Sequence, residues 1–310
     1  MIDTSKSVVQ KVQFFHEKAE PFSFDIKRDD LIDRVISGNK WRKLKYNIEK
    51  ITQEKYAGVL TFGGAFSNHL IATAKAAHDH GIKSVGIVRG NELNPSSNET
   101  LRSCQKLGMR LVFVSRHDYK RRHEKAYLSE LNAQFPNLFM VPEGGANFYG
   151  AIGCQEIVTS VSRDYDHIYL AAGTGTTAAG VLSAIGYKTK LHAVSALKGD
   201  FLKADIKKLL WSIVGDDDHA NQLMGNLELN THNHCGGYGK TSIELFNLIR
   251  SFHKQTQIAL EPIYTGKVLL AMMRDLKIGI IKPNENVLMI HTGGLQGGKS
   301  FVSELPFLAD

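Results

Sequence analysis

Lys40 is the first residue whose surroundings suggest chemistry, within Ser37-Gly38-Asn39-Lys40-Trp41-Arg42-Lys43-Leu44-Lys45-Tyr46. If this run opens a helix, Trp41, Leu44, Ile48 and Ile51 form an apolar stripe, with Arg42, Lys45 and Glu49 on the wet face. Lys40 then lies at the edge of the stripe, and Lys43 sits one turn along. Partial burial beside another cation lowers an amine's pKa, which imine formation needs. A surface lysine snorkelling at a helix start explains the same letters, so this segment alone makes Lys40 a candidate and no more.

Three further places could hold a ligand. Gly63-Gly64-Ala65-Phe66-Ser67-Asn68-His69 follows the apolar run Ala57–Phe62 and precedes a stretch of small helix formers, Leu70–Ala77. Ser67 and Asn68 are good capping types, and glycines ahead of a helix leave N–H groups free for a carboxylate. Plain capping and carboxylate binding both remain open here. Ile168–Ala172 runs into Gly173-Thr174-Gly175-Thr176-Thr177-Ala178, a strand meeting a glycine/threonine turn that opens a helix. Amides, hydroxyls and the helix dipole together make a phosphate cradle. The letters also match G-x-G-x-x-A, but Lys198 follows the next strand where a dinucleotide site needs an acid, so a lone phosphate suits the loop better. Last, Pro262-Ile263-Tyr264-Thr265-Gly266-Lys267 and His291-Thr292-Gly293-Gly294 end in glycine turns, with the Thr292 hydroxyl just past a buried strand.

Other clusters read as scaffold. His232-Asn233-His234-Cys235 lacks a second ligand pair at zinc spacing and reads as a loop, so no metal is expected. Asp216-Asp217-Asp218-His219 lacks the calcium-loop pattern and reads as a solvated turn. Lys120-Arg121-Arg122 reads as the exposed start of a helix.

The elements that must position these residues alternate apolar runs with helical patterns, as parallel sheets with crossover helices do. Ala57–Phe62, Lys83–Val88, Arg110–Val114 and Leu138–Val141 read as strands, separated by helices near Asn68–Asp79, Asn98–Leu107 and Lys120–Gln134. A second series follows: strands Ile168–Ala172, Leu191–Leu197 and Val287–His291, helices near Thr177–Ile185, Ser242–His253 and Gly266–Leu276. The expected fold is α/β, with two open parallel-sheet domains flanked by helices and a ligand in the cleft between them. The expected division is 1–50 plus 146–310 as the larger domain and 51–145 as the smaller.

With 310 residues, 43% of them hydrophobic and 22% charged, the chain has the composition of an ordinary globular protein. No run of about 18 apolar residues occurs, so no membrane partner is expected. The opening residues Met1–Lys6 hold no apolar core of a secretory signal, and the three cysteines are widely spaced. Both favour a cytoplasmic protein. The net charge of +7 is scattered rather than clustered, which argues for steering of anionic small molecules and against nucleic-acid binding.

In this order the pieces resemble the 1-aminocyclopropane-1-carboxylate (ACC) deaminase/D-cysteine desulfhydrase family. These are fold-type II pyridoxal 5'-phosphate enzymes related to the tryptophan synthase β-subunit. The matching stretches are Lys27-Arg28-Asp29-Asp30-Leu31, Gly38-Asn39-Lys40 to Leu44, Gly63-Gly64 with Ser67-Asn68-His69, and Gly144-Gly145-Ala146-Asn147. Gly173–Thr177, Gly236-Gly237-Tyr238-Gly239, Pro262–Lys267 and His291–Gly294 complete the set. The resemblance implies that Lys40 carries the cofactor as a Schiff base. Lys43 and the amides of Gly173, Thr174, Gly175, Thr176 and Thr177 would hold its phosphate, Asn68 its 3-oxygen, and Thr292 its pyridine nitrogen. Ser67 with the amides of Asn68 and His69 would take the substrate carboxylate, Tyr238 and Tyr264 would flank the substrate as catalytic groups, and Lys40 or an activated hydroxyl (Ser67, Tyr264) would be the base. A homodimer is also what the resemblance implies.

Two positions depart from the ACC deaminase pattern. Thr265 follows Tyr264 where those enzymes carry an acid, and Ala65-Phe66 replaces an aliphatic residue and Gln. The expected reaction is therefore D-cysteine desulfhydrase-like elimination to pyruvate, ammonia and sulfide, with ACC ring opening to 2-oxobutanoate and ammonia as the alternative. A racemase or dehydratase acting on other D-amino acids shares the fold. Outside this chemistry stand a non-catalytic pyridoxal-phosphate binder and a nucleotide-binding protein using Gly173–Ala178.

Overall fold

In the computed structural model, which describes residues 2–16, 21–199 and 201–309, the chain begins with two strands absent from the expected set. They are β1 (Val9–Phe14) and β2 (Phe22–Lys27), paired antiparallel from Val9↔Lys27 to Phe14↔Phe22. Helix α1 (Asn39–Gln53) follows, and its apolar stripe of Trp41, Leu44, Ile48 and Ile51 packs on Val59, Val141 and the alanines of the next helix.

A four-stranded layer comes next: β3 (Gly58–Gly63), α2 (Asn68–Asp79), β4 (Lys83–Arg89), α3 (Glu99–Lys106), β5 (Arg110–Val114), α4 (Arg116–Lys120), α5 (Lys125–Gln134) and β6 (Leu138–Val141). Its order is β5-β4-β3-β6, all parallel, so the chain reverses direction between β3 and β6. The remaining elements are α6 (Phe148–Thr159), β7 (His167–Ala172), α7 (Thr176–Leu182), β8 (Lys190–Ser195), α8 (Phe201–Val214), α9 (Asp217–Met224), β9 (Leu227–Asn230), α10 (Ile243–Thr256), α11 (Thr265–Lys277) and β10 (Val287–Ile290). They build a six-stranded sheet in the order β1-β2-β10-β7-β8-β9, parallel throughout except at edge strand β1.

The α/β class with two parallel sheets and flanking helices is thus the observed one. Strands β3, β7 and β10 are buried along their full length, as a central parallel strand covered on both faces must be. One face of the larger sheet is sealed by α10 and α11, with Phe252, Leu269 and Met272 against Phe14, Tyr169 and Met289. The other face is sealed by α7 and α8, through Val181, Leu182, Ile206 and Leu210. Among the described residues no helix is long and apolar enough to cross a membrane.

Several expectations fail locally. The helix expected over Lys120–Gln134 is broken. Ser115 caps an earlier helix by accepting from Asp118 N, and Glu124 is extended (φ −83°, ψ 127°). Lys120-Arg121-Arg122 is thus a helix end and a 3-10 turn, bent so that Arg122 reaches Glu143 at 2.8 Å. The triple aspartate is a helix start rather than a turn, because Asp216 Oδ1 accepts from His219 N at 2.7 Å and caps α9.

Phe252 is fully buried and meets the Phe14 ring edge-on, centroids 5.2 Å apart. Phe252→Ala is expected to lower the unfolding free energy by about 3–5 kcal/mol in denaturant titration, and a loss below about 1 kcal/mol would contradict this packing.

Candidate functional site

The loops at the carboxyl ends of β6, β7 and β10 meet at the start of α1, the kind of place where open α/β sheets bind ligands. Helix α1 begins there because Gly38 (φ 63°, ψ −139°) turns the chain against the end of β10. Asn39 N donates to Thr292 O at 3.3 Å, and any Cβ at Gly38 would overlap that carbonyl. Lys40 is held at the helix start, its Nζ donating to Asn39 Oδ1 at 2.7 Å. Asn39 Nδ2 in turn donates to Thr177 Oγ1 at 2.8 Å, so a bonded chain links the amine to the glycine/threonine loop. Burial first, and then the Lys43 ammonium, bring Lys40 down to about 7. Burial also lowers Lys43, whose Nζ has no hydrogen bond or ion pair among the described residues.

That loop is open for an anion. The N–H groups of Gly173 through Thr177 donate to no acceptor among the described residues. Gly175 is left-handed (φ 74°), and a Cβ there would strike Ile206 of α8. A loop from the smaller sheet closes over it: a Cβ at Gly144 would come within 2.7 Å of the Thr174 methyl, and one at Gly145 within 3.1 Å of Lys43 Cβ. Unpaired amides, the ammonium of a largely buried lysine without a partner among the described residues, and glycines that keep the space clear fit a phosphate group.

On the facing helix, Ser67 caps α2 by accepting from Leu70 N at 3.2 Å, which leaves its hydroxyl hydrogen free. The N–H groups of Asn68 and His69 have no acceptor among the described residues. Asn68 Oδ1 accepts from Gln296 Nε2 at 2.8 Å, so its amide hydrogens are free. The His69 ring is fixed and neutral. Thr61 Oγ1 spends its one hydrogen on Val141 O at 2.8 Å, so His69 Nε2–H must donate to Thr61 at 2.9 Å. Burial, then Lys43 and Lys40, hold His69 near 3. Its backbone amide, and not a ring charge, is what it can offer an anion.

Tyr264 lies across from Gly173, where a Cβ would sit 3.7 Å from its hydroxyl. Tyr238 meets the Tyr264 ring edge-on at 6.1 Å between centroids. Burial raises both phenols, Tyr264 well above its ordinary value, so both stay protonated near neutrality and can donate but not act as bases. Thr265 does not face the cleft: its buried hydroxyl lies 3.1 Å from Glu261 Oε1 and receives Glu261 N at 3.0 Å. Phe66 is 67% exposed on its turn rather than packed into the site. Thr292 is buried at the end of β10, level with Lys40's helix start.

Sequence reasoning missed four supports. Asn39 joins Lys40 to Thr177, and Gln296 orients Asn68. Glu261 gathers the N–H groups of Ile263, Tyr264 and Thr265 at 2.7–3.1 Å, which aims Tyr264. Lys267 is 1% exposed and donates to Gly237 O at 3.1 Å, tying the Tyr238 loop to α11. The adjacency of Asn39 to Lys40, and of Lys267 to the tyrosine turn, was the only available signal.

An amine lowered to near neutrality, facing an amide cradle for a phosphate, defines the class of protein. The family model for pyridoxal-phosphate-dependent enzymes matches residues 12–293, and the chain belongs to that family. Within it, a Thermotoga maritima protein provisionally named a 1-aminocyclopropane-1-carboxylate deaminase is 30% identical, covering 92% of this chain and 94% of its own. The bifunctional D-cysteine desulfhydrase/1-aminocyclopropane-1-carboxylate deaminase of Arabidopsis thaliana, named as mitochondrial, is 28% identical over 88% of this chain and 72% of its own. A crystal structure of an ACC deaminase homologue superposes with a TM-score of 0.76 at 26% identity, over 92% of this chain and 89% of that one.

The lowered amine carries a pH prediction. A neutral amine is the nucleophile, so acylation of Lys40 in the cofactor-free protein should rise with pH about a midpoint near 7. Lys43→Met removes a like charge and should move that midpoint upward, still below the ordinary 10.5 because burial remains. Peptide mapping of labelled Lys40 reads both, and a midpoint near 10.5 in the wild type would refute the geometry's electrostatics.

Proposed function

We propose that this enzyme is a deaminating lyase acting on a small amino acid, with elimination from D-cysteine as its preferred reaction. Pyridoxal phosphate, when bound, supplies an electron sink for the pair left at Cα. Lys40 is the attachment point. Lys43 and the amides of Gly173–Thr177 hold the phosphate, Asn68 donates to the 3-oxygen, and Thr292 offers a hydroxyl to the ring nitrogen. The free Ser67 hydrogen and the Asn68 and His69 amides hold the substrate carboxylate and so orient Cα.

Lys40 Nζ, poised near 7, can take the Cα proton and hold it. The Cα–H pair becomes a Cα=Cβ bond, the Cβ–S bond breaks, and sulfur leaves with that bond's electrons. Cβ then takes a proton, and water replaces the amino nitrogen, giving pyruvate and ammonia. Tyr264 and Tyr238, protonated at neutral pH, donate hydrogen bonds on the side of the cleft opposite α2.

The residue type at position 265 supports this choice of substrate: Thr265 supplies no acidic group beside Tyr264 of the kind the ring-opening resemblance implies. ACC ring opening stands as the second reading, favoured by the name given to the Thermotoga relative.

Supplying the purified holoenzyme with D-cysteine and with ACC separates the two. D-cysteine should yield sulfide and pyruvate in equal amounts, with kcat/KM at least about tenfold above that for ACC. 2-Oxobutanoate from ACC at the higher efficiency would reverse the order, and no 2-oxo acid from either would remove both.

A further inference from the structure

We propose that Arg89 reads the side-chain end of the substrate, so that the enzyme favours amino acids whose β-substituent is anionic, a thiolate among them. The inference rests on the reading of Ser67–His69 as the carboxylate site.

Arg89 ends β4 at the carboxyl edge of the smaller sheet, next to the end of β3. Its guanidinium lies over Gly64, where a Cβ would stand 3.9 Å from Arg89 Nη2. Gly64 O accepts from Ser67 N at 3.0 Å, so the same tight turn carries the guanidinium at one end and Ser67 at the other. Tyr238, half exposed, lies near enough for the charges of Glu143 and Arg89 to act on its hydroxyl. Arg89 is thus placed beside the Ser67 turn and within electrostatic reach of the Tyr238 loop.

Nothing among the described residues neutralises it. Arg89 is exposed and makes no hydrogen bond or ion pair among the described residues; its one contact is the Tyr119 ring, 6.0 Å from Cζ to centroid. The neighbouring carboxylate is already engaged. Glu143 receives the Tyr119 hydroxyl at 2.7 Å and Arg122 Nε at 2.8 Å, and Arg122 lies over the same ring at 4.9 Å. Glu92 on the following loop pairs with Arg116 at 2.5 Å. Two guanidinium groups against one carboxylate leave one positive charge unmatched at the mouth of the cleft. A planar guanidinium pairs with a carboxylate or sulfonate in two parallel bonds and favours a thiol's ionised form. In the elimination, the Cβ–S electron pair goes to sulfur, and Arg89 faces that charge without a proton having to be delivered first.

The test uses binding rather than turnover. The visible absorption of the holoenzyme is titrated with D-alanine and with D-aspartate, for the wild type, Arg89→Met and Arg89→Lys. Arg89→Met should weaken D-aspartate by about tenfold or more, the range of a charged hydrogen-bonded pair, and leave D-alanine within about twofold. Arg89→Lys should recover part of the loss. Equal weakening of both ligands, or unchanged D-aspartate binding, overturns the inference alone. A wild type whose spectrum responds to neither amino acid overturns it together with the amino-acid reading beneath it.

Discussion

The approach of Gly38 to the carbonyl of Thr292 is the contact on which the site depends. It joins the start of α1 to the end of β10, about 250 residues later in the chain by their numbers. No side chain fits between them, and the positive φ at Gly38 suits glycine best. This contact sets Lys40 level with the ends of β7 and β10, and Asn39 then bridges to Thr177. The apolar stripe of α1 meanwhile packs on the smaller sheet. One helix thus touches both layers, and the reactive amine sits where they meet.

Electrostatics follow from that placement. Lys40, Lys43 and the His69 ring share one confined region, and each has its charged form disfavoured by burial. Without an anion this grouping costs stability, because desolvated like charges have little to offset them. A phosphate on the amides of Gly173–Thr177 would reverse the balance, with a stabilisation that grows with the logarithm of ligand concentration above its Kd. The same rule orders the phenols. Tyr264 and Tyr238, both raised, keep their protons, which leaves the lowered amine as the group suited to accept one.

Much of this was legible in the sequence because it rests on local rules. The strand–glycine–helix passages at Gly63–Asn68 and Ala172–Thr177 announce themselves by composition, and Arg110–Val114 and Asn68–Asp79 form where the patterning places them. What was not legible depends on distant partners. Strand β1 (Val9-Gln10-Lys11-Val12-Gln13-Phe14) breaks the two-residue period, but β2 (Phe22-Ser23-Phe24-Asp25-Ile26-Lys27) alternates strictly and was legible, though missed. The break at Glu124 answers to Glu143, outside any local window. Thr265 reads from its position as a substrate-facing residue, yet its hydroxyl is claimed by Glu261, four residues back in the turn. Gln296 could not be paired with Asn68 from spacing, being 228 positions away.

Lys40, and not its neighbour Lys43, is the proposed attachment point of the cofactor. Borohydride reduction of the holoenzyme fixes an imine as a stable amine, and fragmentation of the peptide spanning residues 39–53 locates it. The pyridoxyl mass is expected on Lys40 alone, with Lys43 unmodified. The mass on Lys43, or a fully reduced holoenzyme with no labelled lysine in that peptide, would contradict it.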